Sequence, residues 1–117
     1  MRRLQYCVMS IALMAATVAL AGDTAKLKIG AIFALTGAHS SFGEESVNGL
    51  ELALADLAKA DPALAERISV VREDEKSSAE DAVNAVKKVL NVDQVDLVFG
   101  TVASTNTLAM IKWAEEA

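Results

Sequence analysis

The chain has 117 residues, of which 53% are hydrophobic, 4% are aromatic and 23% are charged, and its net charge at pH 7 is −5. This length is enough for one small domain or for part of a larger one. The acidic balance makes the chain a poor candidate for binding nucleic acid or an anionic membrane surface, because both carry negative charge.

The N-terminal segment predicts a secretory signal peptide, residues 1–21. Arg2 and Arg3 form a basic start, residues 8–20 are almost entirely apolar, and Ala-Leu-Ala at residues 19–21 is a small-x-small cleavage site. The alternative is a membrane-spanning helix. It is disfavoured because the apolar run is shorter than the roughly 20 residues of a span and no basic stop-transfer residues follow it.

The mature part, residues 22–117, would carry no cysteine, because Cys7 is the only one and precedes the apolar run. A lipid-modified cysteine would follow that run, so a lipid anchor is not expected. The mature part would therefore have neither a disulfide nor thiol chemistry. Without Arg2 and Arg3 it has nine basic residues against 16 acidic ones, a net charge of −7.

The first strand is predicted at residues 27–33, and a loop of turn-forming residues follows at 35–43. Helical periodicity begins near Glu44 or Glu45, acidic residues that suit a first turn. Pro62 ends or interrupts this helix. Its apolar stripe repeats at spacings of three and four residues and consists of Val47, Leu50, Leu54, Leu57 and Ala58.

The second half of the chain continues the alternation of strand and helix. Strands are predicted at residues 68–71, just before the acidic run at residues 73–75, and at residues 95–99. Between them, Ser77 and Glu80 have the spacing of a capping box. The helix that they open has an apolar face formed by Ala82, Val83, Val86, Val89 and Leu90.

A last helix is predicted from about Thr105, so the element order is β-α-β-α-β-α. Connections of this length suit right-handed parallel crossovers. The fold class is therefore expected to be α/β, with a parallel sheet covered by helices on both faces. Three strands leave open sheet edges, so we expect residues 22–117 to be a truncated part of a longer protein.

Two loops of small residues define the expected ligand site, and we call residues 36–43 the first corner and residues 100–105 the second corner. If the strand order is 2-1-3, the loops at residues 36–43 and 100–105 follow adjacent strands and meet at one crevice. Both are rich in Gly, Ser and Thr, and the second leads into a helix N-terminus, where free N–H groups and the helix dipole favour an anion. The second corner has no strong nucleophile, base or metal ligand, so it suits holding a small anion rather than breaking it.

Other patterns are weaker. Neither G-x-G-x-x-G nor G-K-[ST] occurs, so a phosphate loop is excluded. His39, the only histidine, is either a solvated loop residue or a residue at the rim of the site. The acidic run at residues 73–75 could bind a hard cation, although such runs more often face solvent. Phe42 either plugs the fold or forms a pocket wall, and Trp113 is expected to pack within the fold.

The segments KIGAIFALTG at residues 28–37, FG at 42–43, NG at 48–49, LVFG at 97–100 and ST at 104–105 occur in a familiar order. Together they resemble the branched-chain amino acid (leucine/isoleucine/valine) binding protein family. Members of this family are periplasmic solute-binding components of ABC importers. The resemblance covers essentially the whole mature part.

The resemblance implies a type I periplasmic binding protein, in which two α/β lobes close on a ligand between them. This chain would be a partial N-terminal lobe. The resemblance also implies binding without catalysis or a cofactor, and a small-molecule ligand such as an amino acid or a related carboxylate or amide. It further implies a membrane permease as partner and a location in the periplasm.

The resemblance also implies the contacts with the ligand. Ser104 matches a serine that binds the ligand carboxylate together with backbone N–H groups, so Ala103, Ser104 and Thr105 are expected ligand-binding residues. Phe42 matches an aromatic residue near the ligand, where tyrosine is common. Some members have a disulfide beside the cleft. This chain has Ser77 and Ala103 near the positions of the two cysteines, so the resemblance implies that this disulfide is absent here.

Two other functions are compatible with the sequence. An exported α/β enzyme, such as a hydrolase, would have its catalytic residues beyond residue 117. A receptor could use the same fold as a ligand-sensing ectodomain. A second lobe with hinge crossings would favour the transport protein. A Ser or His motif at a strand end would favour the enzyme, and a later transmembrane segment would favour the receptor.

Overall fold

The computed structural model describes residues 25–117, so the predicted signal peptide lies outside the described residues. Within this range, no helix has both the length and the apolar character needed to cross a membrane. The elements in chain order are β1 (Leu27–Phe33), α1 (Ser40–Ala60), the short α2 (Pro62–Ala65), β2 (Ile68–Asp74), α3 (Ala79–Asn91), β3 (Leu97–Phe99) and α4 (Ser104–Glu115).

The three strands form a parallel sheet in the order β2-β1-β3, which confirms the strand order assumed from the sequence. β1 pairs with β2 along its whole length, from Leu27 opposite Ile68 to Phe33 opposite Asp74. β3 pairs only with the middle of β1 and ends with Phe99 opposite Ala31. Because all three strands run the same way, the loops that follow them leave from one edge of the sheet.

Helices cover both faces of the sheet, as predicted. Side chains alternate between the faces of β1, so Ile32 points towards α3 and α4 while Phe33 points towards α1. The apolar core lies on the face of α3 and α4 and consists of Ile32, Ala85, Val86, Val89 and Met110. Partly buried Trp113 packs against this core, which confirms its predicted packing role.

Helix α1 begins at Ser40, earlier than the start predicted near Glu44. The predicted loop residue Phe42 therefore lies in the first helical turn. A contact distant in sequence favours this earlier start, because the Ser77 hydroxyl accepts a hydrogen bond from the His39 amide at 2.9 Å and donates one to the Thr36 carbonyl at 2.9 Å. The periodicity of apolar residues does not report such a contact.

Two further boundaries differ from the prediction. Ser78, not Ser77, is the N-cap of α3, and its hydroxyl accepts from the Asp81 amide at 3.3 Å. β2 extends to Asp74 because its last residues stay in register with β1. The strand predicted at residues 95–99 starts at Leu97, since the Asp96 carboxylate binds the Lys28 amide in place of a backbone carbonyl.

Candidate ligand-binding site

Two glycines bring the corners after β1 and β3 onto the same strand end. A Cβ atom on Gly43, in the first turn of α1, would lie 1.9 Å from the carbonyl oxygen of Ala34. A Cβ atom on Gly100, which has φ +127°, would lie 1.9 Å from the carbonyl oxygen of Ile32. Both segments therefore approach the end of β1 more closely than any larger residue allows.

The second corner presents an open helix N-terminus. Ala103 is the N-cap of α4 in an extended conformation, and its side chain cannot cap the helix. The first amides of a helix have no intrahelical acceptor, so those of Ser104 and Thr105 are available to an anion. Both of these side chains are exposed. The predicted residues Ala103, Ser104 and Thr105 thus form one turn, in which Ala103 is half-buried and the other two residues are exposed.

Hydroxyl groups brace this turn from behind. The Thr101 hydroxyl donates to the Ala103 carbonyl at 3.0 Å and lies 3.2 Å from the Thr107 hydroxyl. The amides of Asn106 and Thr107 also donate to the Ala103 carbonyl, each at 3.0 Å. The carbonyl side of the turn is therefore occupied within the protein, and the amide side faces outwards.

Phe42 is 57% exposed, so it does not plug the fold. An open groove of about 510 Å³ lies nearby, between α1 and β3, but none of the four predicted site residues lines it. Its lining includes Phe33, Leu50 and Phe99 and is mainly apolar. The described residues thus present Phe42 and the turn of α4 on one sheet edge without enclosing them in this groove.

Asp74, the last residue of β2, holds the loop that follows β1. Its carboxylate accepts from the Thr36 hydroxyl at 2.7 Å and from the amides of Leu35, Thr36 and Lys76 at 2.9, 3.2 and 2.8 Å. Burial acts to raise the pKa of Asp74, but these hydrogen bonds together lower the pKa below its ordinary value. The ionised carboxylate is therefore a structural part of the first corner.

We expect Asp74→Ala to lower the free energy of unfolding at pH 7 by about 2 kcal/mol, because several hydrogen bonds to a charged group are lost. A carboxyl group with a lowered folded-state pKa stabilises the protein above its unfolded pKa of about 3.9 and loses this contribution as the pH falls through the folded-state value. Urea denaturation at pH 7 and at about pH 3 measures both effects.

Asp56→Ala is the matched control, because Asp56 forms only an exposed ion pair with Lys59 at 3.1 Å. We expect it to cost less than about 0.5 kcal/mol at either pH. Equal losses for the two variants, or a loss for Asp74→Ala that persists unchanged at acid pH, would contradict the role of Asp74.

The acidic run at residues 73–75 does not behave as one solvated segment. Glu73 pairs with Lys88, Asp74 holds the first corner, and Glu75 is completely buried. The expectation that such a run faces solvent is therefore wrong for Glu75. In the part of the chain that the structure describes, no group of three His, Cys, Asp or Glu side chains could hold a metal ion.

Glu75 and Asn106 form a buried polar pair that the sequence reasoning missed. The Asn106 side-chain amide donates to Glu75 Oε2 at 2.8 Å, and Asn106 is only 3% exposed. Burial raises the pKa of Glu75, while the hydrogen bond from Asn106 and the charge of His39 oppose the rise and Asp74 adds to it. The one feature of the local sequence that could have indicated this pair was the position of Glu75 directly after a strand.

His39 is half-buried as the N-cap of α1, so it is not a solvated loop side chain. Its Nδ1 atom is buried and has no hydrogen-bond partner among residues 25–117. Its position places it at the rim of the first corner, beside the exposed Phe42.

The sequence from residue 26 to residue 117 matches the family model described as periplasmic binding protein. The Leu/Ile/Val-binding protein homolog 7 of Brucella suis biovar 1 (strain 1330) is 28% identical over 94 residues, which cover 80% of this chain and 23% of that protein. The chain thus spans about a quarter of the length of this relative.

Solved structures show the same relationship. LivJ from Streptococcus pneumoniae, a branched-chain amino acid transporter substrate-binding protein in complex with isoleucine, superimposes with a TM-score of 0.71 at 26% identity. The match covers 78% of this chain and 26% of LivJ. A solute-binding protein of an ABC transporter from Rhodopseudomonas palustris, in complex with benzoate, has a TM-score of 0.67 at 32% identity, with 78% and 25% of the two chains covered.

These relatives are solute-binding proteins and not enzymes, which disfavours the hydrolase interpretation. The sheet of residues 25–117 corresponds to part of the N-terminal lobe of such a protein, as the resemblance implied. The match of the family model extends over more than three quarters of the chain. The chain therefore belongs to the periplasmic binding protein family.

Proposed function

We propose that this chain forms part of the first lobe of an extracytoplasmic solute-binding subunit of an ABC transporter. Its ligand would be an amino acid or a similar small carboxylate. The observation that carries the proposal is the exposed, uncapped first turn of α4 at the edge where β1 and β3 end. Isoleucine and benzoate, the ligands of two similar proteins, both contain a carboxylate group.

In this proposal, the turn at Ala103, Ser104 and Thr105 binds the ligand carboxylate. Backbone N–H groups and the Ser104 hydroxyl donate hydrogen bonds to it, and the positive end of the α4 dipole adds an electrostatic attraction. The exposed ring of Phe42 lines the space for the ligand's side chain. No group at this turn attacks or protonates the ligand, so the protein binds and releases it unchanged.

The remaining contacts would come from parts of the protein outside this chain, because the matches cover only 23% and 26% of the two relatives. A second lobe would close over the ligand and shield the carboxylate from water, which strengthens each hydrogen bond to it. Export by the N-terminal signal and delivery to a membrane permease complete the proposed role.

The experiment is calorimetry on the protein expressed from its complete reading frame. L-leucine, L-isoleucine, L-valine and benzoate are tested, and L-leucinol is the matched control for L-leucine because it lacks the carboxylate. We expect at least one acid to bind. If that acid is L-leucine, L-leucinol should bind at least about tenfold more weakly, since one hydrogen bond to a charged group accounts for such a ratio.

Two outcomes would contradict the proposal. One is a reading frame without a second α/β lobe. The other is a full-length, folded protein that binds none of the acids, or that binds L-leucine and L-leucinol equally.

A further inference from the structure

Glu75 lies where three separate segments meet. Its backbone amide donates to the Phe33 carbonyl at the end of β1 at 2.9 Å, and its own carbonyl accepts from the Ser78 amide at 2.8 Å. Its side chain is completely buried and reaches Asn106 in the first turn of α4. The backbone of Glu75 is thus anchored to the sheet and its carboxyl to the helix of the second corner.

Asn106 connects this carboxyl to the exposed turn. Its backbone amide donates to the Ala103 carbonyl at 3.0 Å, and its side-chain oxygen accepts from the Thr105 hydroxyl at 3.3 Å. A continuous chain of hydrogen bonds therefore runs from Glu75 through Asn106 to Thr105.

We propose that Glu75 is a positioning residue of the ligand site, which it serves by holding Asn106 and, through it, the first turn of α4. This inference rests on the proposed binding of a carboxylate at Ala103, Ser104 and Thr105. A site of this kind needs neighbouring side chains that hold its hydrogen-bond donors in place, because donors already in the right geometry bind an anion more tightly than donors that must reorganise. Glu75 does not touch the ligand in this arrangement.

The charge of Glu75 makes this role measurable. Glu75 Oε1 is buried and has no hydrogen-bond partner among residues 25–117, and the titratable groups that act on this carboxyl are Asp74 and His39. Burial already raises the pKa of Glu75. A ligand carboxylate at the turn adds a negative charge nearby and raises it further, so binding takes up a proton.

Proton uptake on binding fixes the direction in which the ligand affinity changes with pH. When the pKa of a group is higher in the complex than in the free protein, affinity is greatest below the free-state pKa and falls as the pH rises through both values. We therefore expect the wild-type protein to bind its acid more tightly below the raised pKa of Glu75 than above it, and calorimetry at several pH values between about 5 and 8 measures this difference.

The test compares Glu75→Gln, Glu75→Ala and the control Glu73→Gln in the full-length protein, with the tightest-binding acid of the calorimetric panel as probe. Glu75→Ala should weaken binding at pH 7 on the order of tenfold, because Asn106 loses its partner. Glu75→Gln keeps an acceptor for Asn106, so it should retain binding and lose the pH dependence. Glu73→Gln, two residues away and paired with Lys88, should behave as wild type at each pH.

The outcomes separate this inference from the proposed function. Binding of an acid by the wild-type protein supports the function on its own. The inference is overturned if folded Glu75→Ala binds as tightly as wild type, or if Glu75→Gln keeps the wild-type pH dependence. If Glu75→Ala does not fold, the isosteric Glu75→Gln variant decides through its pH profile.

Discussion

Gly43→Ala should lower the free energy of unfolding by about 3 kcal/mol, at the upper end of the cost of overpacking. A Cβ atom at this position would lie 1.9 Å from the Ala34 carbonyl oxygen and 2.5 Å from its carbonyl carbon. Both atoms belong to the backbone at the end of β1, so no side chain can rotate away. The first turn of α1 must instead shift away from the sheet, and it carries Phe42 with it.

Gly49→Ala is the matched control, because it places the same methyl group in the same helix. A Cβ atom there would meet nothing within 4 Å. Alanine is the better helix former, so this variant should be more stable than wild type by about 0.5–1 kcal/mol. Urea denaturation at pH 7 measures the free energy of unfolding of both variants. If both substitutions change it in the same direction, the close contact at Gly43 does not exclude a larger residue.

Ser104→Ala should weaken ligand binding in the full-length protein by about 1–3 kcal/mol, which is the cost of losing a hydrogen bond to a charged group. Ser104 is the first residue of α4 and its side chain is exposed, so the substitution should leave stability nearly unchanged. Calorimetry with the tightest-binding acid gives the affinity, and thermal unfolding without ligand gives the stability.

Ser69→Ala is the control for this variant. Ser69 is also an exposed serine, but it lies opposite Lys28 near the beginning of β2, at the end of the sheet away from the proposed site. It should bind the acid as wild type does. An unchanged affinity for Ser104→Ala would remove this residue from the site and leave the backbone amides as the remaining donors.

The apolar pattern of the sequence was enough to predict the element order β-α-β-α-β-α, whereas the strand order 2-1-3 was an assumption that only the structure confirmed. Apolar periodicity reports which face of an element is buried, and this is a local property of about ten neighbouring residues. The core residues Val86 and Val89 were recognised for that reason. The same pattern placed the exposed turn at Ser104 on the correct sheet edge.

The tertiary structure alone decided where α1 begins and what the acidic run does. The start of α1 depends on a hydrogen bond between His39 and Ser77, and the burial of Glu75 depends on Asn106, 31 residues further along the chain. Sequence periodicity carries no information about such pairs, because each partner is unremarkable in its own neighbourhood. The sequence therefore determined the elements, their order and the family resemblance, whereas the tertiary structure determined which polar side chains form hydrogen bonds inside the protein.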